Sequence, residues 1–435
     1  MIFSIKLIIK RIIPDFIWGF LHWSLALAGA IKNKFPSRGL IVIGVTGTNG
    51  KSTVVQLLHE IFGEFSLNVA STSSIRFRIK DKEIVNKLKM TMPGRFALQN
   101  FLRQAVSAGC QYAILEATSE GLKQHRADFI NFDAAVLTNV RPEHIEAHGS
   151  FEKYRSAKEI LFKKLSNKKT KSKKISVVNL DDPSVFYYTR HWADEKVGYG
   201  ILKENNRQGI KKHFVPREIK FSGAGIDFVL EDEKCHSPLL GDFNLYNVLA
   251  AMAVARSFEI PHEYIKKAIG NFKGAPGRLE VLQEKPFRAV IDYAHTPDAL
   301  ESVYRVARSF WVANGRKLIG VLGSAGGGRD KWKRPHLGAI AEKFCDEIFL
   351  TDEDPYSEDP EKIVHDVALG IKEKKHRKIM DRRLAIREAL ESAKQGDVVL
   401  ITGKGAEKTM MTKFGAMDWD EKTIVLDELG KLKTS

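Results

Sequence analysis

From residue 40 onward, short unbroken apolar runs alternate with longer stretches in which apolar residues recur every three to four positions. Unbroken runs suit strands buried on both faces, and a 3.6-residue period suits the helices that cover them. The alternation therefore predicts an α/β arrangement with a largely parallel sheet. The runs at 40–45, 112–116, 134–138 and 175–179 form a first series of strands, and those at 288–291, 317–322, 347–351 and 397–402 a second. Between the first two strands, Ala97, Leu98, Phe101, Leu102, Ala105 and Val106 keep helical spacing and predict one core-facing stripe. Gly274, Ala275, Pro276 and Gly277 lie between the two series, and such turn formers predict a hinge with a boundary near 276.

The amino terminus breaks this pattern. Residues 12–31 are apolar apart from Asp15, His22 and a few small polar positions, with Lys6, Lys10 and Arg11 before them and Lys32 and Lys34 after. A signal peptide is disfavoured, because a strand-and-loop pattern follows almost at once. A transmembrane span has barely the necessary length and would contain Pro14 and Asp15. The segment reads as a helix packed on the protein body or one lying at a membrane surface with Trp18 and Trp23 as interfacial anchors, with a true span as the third reading.

The strongest local signal is IVIGVTGTNGKST, from Ile41 to Thr53. An apolar strand runs into a glycine-rich loop that ends in Lys51 and Ser52. Such a loop aims backbone N–H groups and a helix start at phosphate, while the lysine neutralises oxygens and the hydroxyl can ligate Mg²⁺. The spacing departs from the general P-loop: Val45 stands where its first glycine would be, and the glycines present are Gly44, Gly47 and Gly50. An ordinary turn is the alternative, but strand, loop, lysine and helix occur in the required order.

A length of 435 residues predicts two or three domains. Hydrophobic residues at 43% and charged residues at 28% fit a folded chain and exclude a mostly disordered one. Cys110, Cys235 and Cys345 have neither metal-type nor redox-type spacing, which suits a reducing compartment. A net charge of +16 favours anionic partners without choosing among them. Seven lysines lie in FKKLSNKKTKSKK, but no aromatic residue is interleaved. The run therefore reads as a solvated connector rather than a nucleic-acid patch.

Other candidate chemistry falls at strand ends, where open α/β sheets bind ligands. Glu116 closes the strand YAILE and could share a magnesium ion with Ser52. Further on, His144 and His148 lie among Glu143 and Glu146, a weak metal signal when taken alone.

Together these segments resemble the Mur ligases, and within them the ligases that add the third residue of the peptidoglycan stem peptide. The resemblance is carried by GVTGTNGKST, LEATSEGLKQHR, LTNVRPEHIEAHG with YRSAKEILF, LLGDFNLYNVLAAMA, APGRLEVL, VIDYAHTPDALESV, GSAGGGRDKWKRPHLGAIAEK and GKGAE, in the family's order. It implies a central P-loop-type domain with a mostly parallel sheet at 40–275 and a smaller Rossmann-like α/β domain at 276–435. An apolar N-terminal helix in 1–39 precedes them.

Such enzymes activate a carboxylate with ATP as an acyl phosphate, which an amine then attacks to form an amide. The resemblance implies that Gly47, Thr48, Asn49, Gly50, Lys51, Ser52 and Thr53 cradle the ATP phosphates. It assigns two Mg²⁺ ions to Ser52, Glu116, His144 and a carbamylated Lys158. Asn244 and Asn247 match positions near the adenine, Arg278 one at the phosphates, and Asp292 with His295 a pair that contacts the nucleotide. Thr91, Thr118, Gln124 and Arg126 match positions holding a nucleotide-sugar peptide acceptor, and Arg329, Asp354, Gly403 and Glu407 match contacts to a free amino acid. Lys51, Glu116, His144, Lys158 and Arg278 are thereby the expected catalytic set. The nucleotide and amino-acid sites fall on different domains, so closure is expected.

Departures from the family pattern narrow the reading. Tyr356 replaces the arginine that clamps diaminopimelate, which points to lysine or ornithine with diaminopimelate as the rival. Glu120 and Ala406 stand where the family has histidines. Residues 1–39 stand in place of the usual uridine-binding domain, so a lipid-linked or membrane-proximal acceptor is an alternative. Rival functions are another amide ligase of the superfamily, folylpolyglutamate or cyanophycin synthetase-like, and a non-catalytic nucleotide-binding scaffold. The expected protein is a cytoplasmic monomer without a nucleic-acid partner, with peripheral membrane contact through residues 1–34 as the variant.

Overall fold

A computed structural model describes residues 15–86, 90–166, 173–202 and 209–432. The first part of the apolar N-terminal segment, with Lys6, Lys10, Arg11 and Pro14, lies outside them, as does 167–172 of the lysine run. The chain divides into two compact units that interleave along the sequence. The first gathers the chain up to Val140 with Arg155–Val215 and Asn247–Ala268. The second gathers Arg141–Tyr154, Pro216–Tyr246 and the chain from Ile269 onward.

The first unit is built on strands β1 (Ile41–Thr46), β2 (Val69–Thr72), β3 (Arg76–Ile79), β4 (Lys82–Val85), β5 (Tyr112–Glu116), β6 (Ala134–Leu137), β7 (Ile175–Asn179), β8 (Glu195–Tyr199) and β9 (Lys212–Phe214). They form one sheet in the order β4-β3-β2-β5-β1-β6-β7-β8-β9. All neighbouring pairs are parallel except β2 with β3 and β3 with β4. The four strands expected from apolar runs are its centre, and the five others are added at the edges. From β1 the chain goes first to the β2 and β5 side and later to the β6 side, which makes the end of β1 a topological switch point.

In the second unit β10 (Arg217–Ser222), β11 (Gly225–Leu230) and β12 (Glu233–Ser237) form a small antiparallel sheet. Its main sheet has the order β13-β14-β18-β15-β16-β17. These strands are β13 (Glu280–Gln283), β14 (Arg288–Asp292), β15 (Leu318–Leu322), β16 (Glu347–Leu350), β17 (His376–Lys378) and β18 (Val398–Thr402). Only β13 runs antiparallel. Two apolar clusters cover the faces of this sheet, one around Leu300, Tyr304, Leu337 and Val364, the other around Ile386, Leu390, Val425 and Leu429. A hairpin of β19 (Thr409–Thr412) and β20 (Gly415–Asp418) follows.

Asp15–Lys32 is helical and packs on the helix Arg95–Ser107 through small residues. Ala26 and Ala30 are buried, and a Cβ on Gly29 would lie 3.4 Å from Phe96 Cα. Its large apolar residues Ile17, Phe20, Leu21 and Ile31 are exposed instead. No helix among the described residues is long and apolar enough to cross a membrane. On the partner helix the expected stripe differs in one respect: Ala97 is exposed and Gln99 is buried, its Nε2 donating to the Asp128 carbonyl at 3.3 Å. An amide that finds an acceptor can occupy a core position that composition assigns to an apolar residue.

The described lysines of the run 163–174 are tied into the fold. Lys164 pairs with Asp128 at 2.5 Å and Lys173 with Glu195 at 2.5 Å. The buried Lys174 donates to Asp133 Oδ1 at 2.9 Å and to the Phe132 carbonyl at 2.6 Å.

Candidate functional site

In the first unit the glycine loop connects β1 to the helix Lys51–Glu64. Two glycines allow it to lie where it does. A Cβ on Gly47 would fall 1.8 Å from Thr138 Oγ1, and one on Gly50, at φ +85°, would fall 2.2 Å from Asn247 Oδ1. The loop is braced from the segment after β6, which neighbours β1. Thr48 N donates to the Asn139 carbonyl at 2.8 Å, Asn49 N to Asn139 Oδ1 at 3.0 Å, and Thr138 Oγ1 to the Asn49 carbonyl at 2.7 Å. The amides of Thr48 and Asn49 thus position the loop, while the first-turn amides of the helix, from Lys51 on, have no intrahelical acceptor and can face an anion. Asn139 did not stand out in the sequence; its signal was its place in LTNV, directly after the strand beside β1.

The chemistry-bearing side chains gather at the same strand end. Lys51 Nζ donates to the Thr48 carbonyl at 2.7 Å, which curls it over the loop. Val45 and Glu116 are register partners in β1 and β5, and Ser52 Oγ donates to Glu116 Oε2 at 2.9 Å. Ser74 N donates to the same oxygen at 2.9 Å. A hydroxyl and a buried carboxylate joined in this way are hard oxygen donors that fit Mg²⁺. Lys158 is buried, and its Nζ donates to the Gly47 carbonyl at 2.7 Å. Among the described residues no group of three or more His, Cys, Asp or Glu could hold a metal ion, and the candidate set contains only Glu116 and His144 of those types.

Also in the first unit, Thr118 Oγ1 caps the short helix Ser119–Lys123 by accepting from Gly121 N at 3.1 Å. Arg126 donates to Gln124 Oε1 and to the Met92 carbonyl, both at 2.7 Å, which brings it beside Thr91 in the chain. The four acceptor candidates therefore fall in one neighbourhood.

His144 and Asn244 belong to the second unit. Glu143 is buried and accepts from His295 Nε2 at 3.0 Å, while His295 Nδ1 faces the Tyr293 carbonyl at 2.9 Å. Burial would raise the Glu143 pKa, but His144, His295 and Lys333 hold it well below the usual carboxylate range. Asp292 spends both oxygens on backbone amides, Leu279 N and Ala294 N, each at 2.6 Å, and burial pushes its pKa up. It ties the Gly277 turn to β14. Arg278 lies over the Tyr293 ring, 4.2 Å from its centroid. Asn244 Nδ2 donates to the Leu240 carbonyl at 2.9 Å.

The amino-acid candidates come from the loops after β15, β16 and β18. Lys404, which is fully buried, donates to Asp354 Oδ1 and Oδ2 at 3.1 Å each and to Glu407 Oε2 at 2.6 Å. The structure thus brings Asp354 and Glu407 together around an ammonium that the chain itself supplies. Arg329 NH2 donates to Tyr356 Oη at 3.2 Å, and its guanidinium lies 5.7 Å from that ring. Burial would lower the Arg329 pKa, but Tyr356, Tyr293 and Asp354 raise it, so its charge is secure. The Tyr293 hydroxyl reaches Glu407 Oε1 at 3.3 Å, and Glu407 together with burial keeps it protonated. A Cβ on Gly403 would lie 2.3 Å from Glu353 Oε2, a buried oxygen with no hydrogen-bond partner.

Residues 45–255 match the family described as Mur ligase middle domain, and residues 277–405 the one described as Mur ligase, glutamate ligase domain. The UDP-N-acetylmuramoyl-L-alanyl-D-glutamate--2,6-diaminopimelate ligase of Halalkalibacterium halodurans is 33% identical over 394 residues, 89% of this chain and 78% of that protein. A solved structure of a ligase of the same description has a TM-score of 0.60 at 31% identity, covering 91% of this chain and 79% of that one. The folylpolyglutamate synthase of Mycobacterium tuberculosis, solved with ADP and AMPPCP, has a TM-score of 0.69 at 17% identity over 88% and 92% of the chains, a likeness of fold. With its glycine cradle and both family matches in sequence order, the chain belongs to the Mur ligase family and is an ATP-dependent ligase.

Proposed function

We propose that this protein joins a diamino acid to the free carboxylate of a UDP-N-acetylmuramoyl dipeptide, at the expense of ATP. The observation that carries this reading is the Ser52–Glu116 hydrogen bond of 2.9 Å beside a loop whose Gly47 and Gly50 leave no room for a side chain. The names of relatives such as the diaminopimelate-adding ligase of Halalkalibacterium halodurans supply the acceptor class. Mg²⁺, when bound, offsets the charge that accumulates on the transferred phosphoryl group.

Lys51 and the first-turn amides hold the β- and γ-phosphates, and Ser52, Glu116, His144 and Lys158 are the proposed holders of two Mg²⁺ ions. Carbamylation of Lys158 would turn a buried cation into a carboxylate that can join them. Asn244, Asn247, Arg278, Asp292 and His295 are the proposed nucleotide contacts. Thr91, Thr118, Gln124 and Arg126 are the proposed acceptor contacts. The proposed domain division is 1–39, 40–275 and 276–435, supported by the turn at Gly274 and Gly277, both at positive φ. Peripheral membrane contact through residues 1–34 is supported by the outward Ile17, Phe20, Leu21 and Ile31.

Arg329, Asp354, Gly403 and Glu407 are the proposed amino-acid contacts. Tyr356 is uncharged and already engaged with Arg329, so a single α-carboxylate matches the one guanidinium better than two carboxylates do. That supports lysine or ornithine over the diaminopimelate named for the relatives. Mass spectrometry of products from ATP, UDP-N-acetylmuramoyl dipeptide and a panel of amino acids tests the reading. Lysine or ornithine adducts are expected, and Tyr356→Arg should move the preference toward diaminopimelate by about tenfold. A product formed with diaminopimelate alone would overturn the inference from Tyr356, and no ligated product with any amino acid would overturn the function.

A further inference from the structure

The helix Asp15–Lys32 meets the neighbourhood of the acceptor candidates at one cluster. Arg95, which opens the helix Arg95–Ser107, donates to His22 Nδ1 and, at 2.5 Å, to the Gln124 carbonyl. Arg126 takes the side-chain oxygen of the same Gln124 at 2.7 Å. Gln124 therefore bridges two guanidinium groups, and every acceptor they use is neutral. Among the described residues neither forms an ion pair with a carboxylate.

Two N–H groups in this cluster are left over. Arg95 Nε is buried without an acceptor, and so is Trp18 Nε1, whose ring meets His22 edge-on at 5.9 Å between centroids. Burial and the neighbouring Arg126 lower the pKa of Arg95 against Asp128, which raises it, and burial with Arg95, His125 and Arg126 pushes His22 down to about 4. His22 is thus neutral near pH 7 and accepts from Arg95. Two half-buried cations in mutual repulsion, with unused N–H donors beside them, are stabilised when an oxyanion enters, because a planar guanidinium fork matches its oxygens.

We propose that Arg95, Arg126 and the Trp18 indole bind an oxyanion group of the acceptor, which makes the amino-terminal helix part of the acceptor site. Arg95 is a binding residue, and His22 is a positioning residue that holds its guanidinium. This rests on the acceptor reading above and adds to it residues that no family motif supplies. A phosphoryl group of a nucleotide sugar and a peptide carboxylate share the required chemistry.

Calorimetric titration of the full chain with inorganic diphosphate and with glutarate tests the site without turnover. With the glycine loop saturated by ADP, wild type binds at least one probe; diphosphate binding that Arg95→Gln weakens assigns the group to the nucleotide-sugar phosphates, and glutarate binding that it weakens assigns it to the peptide. Arg95→Gln should weaken that binding about tenfold or more, and Trp18→Phe, which keeps the apolar ring and removes the donor, should weaken it less. In turnover, Arg95→Gln and His22→Ala should raise the KM for the acceptor and leave the KM for ATP unchanged. His22→Gln, which restores an oxygen acceptor for Arg95, should recover most of the loss. Failure of wild type to bind either probe, or unchanged binding in both Arg95→Gln and Trp18→Phe, overturns the proposal. Probe binding without any ligated product would leave the oxyanion site standing and remove the ligase reading alone.

Discussion

The glycine loop after β1 and the loops after β14, β16 and β18 occupy equivalent places, the carboxyl ends of parallel strands, yet they treat charge in opposite ways. Around β1 the backbone is braced by Thr138 and Asn139, and the hydroxyl–carboxylate pair of Ser52 and Glu116 stands ready as oxygen donors. Around β16 and β18 Asp354 and Glu407 share the internal ammonium of Lys404, and at the end of β14 Asp292 is satisfied by two backbone amides. One region is shaped to receive charge, while the other is shaped to hold its own charges still. Under the proposed function the difference follows from what each would bind: phosphate and metal bring large charges that need preorganised partners, whereas a small zwitterion needs a few groups in fixed positions.

The largest expected effect comes from removing the internal cation. Lys404→Met leaves the buried Asp354 and the half-buried Glu407 without their ammonium and should cost about 3 kcal/mol of stability, read from denaturant unfolding of wild type and variant. A loss under about 1 kcal/mol would mean that water reaches these carboxylates and that the second region is as open as the first. Next comes Gly50→Ala, which places a methyl against Asn247 at a backbone conformation that alanine resists. ATP turnover should fall about a hundredfold, roughly 3 kcal/mol at the transition state, with little change in melting. Wild-type turnover in this variant would break the view of the loop as a fixed cradle.

The smallest effect sharpens the view of the second unit as internally compensated. Hydrogen bonding and ion pairing with Arg387, Lys431 and Arg383 hold Glu428 down to about 2, against burial. Its folded pKa is depressed, so its stabilisation is present above the unfolded value of about 4.3 and is lost as pH falls toward 2. The three partners are partly exposed, which screens the pairs, so the contribution is about 1 kcal/mol. Comparing acid unfolding of wild type with Glu428→Gln checks it: the variant should lose the pH dependence in that window.

Much of the scaffold was legible because the central strands are buried on both faces. Tyr112–Glu116 and Ile175–Asn179 match their apolar runs residue for residue. The edge strands β4 and β17, and β3 next to the edge, were not legible: KEIV, HRK and RFRI carry charges, as exposed or half-covered strands do. Ala97 turned outward and Gln99 inward because helical period alone does not reveal that the Asp128 carbonyl waits for an amide.

The sequence by itself determined the central strands of both series, the glycine loop and the family, since these depend on local periodicity and on short contiguous motifs. Only the tertiary structure decided which charges meet. His22 accepts from Arg95 across 73 positions, Lys404 holds Asp354 across 50, and Glu143 meets His295 across 152. Pairings at such separations leave no local trace, because they are set by which strand ends and helix faces the fold brings side by side.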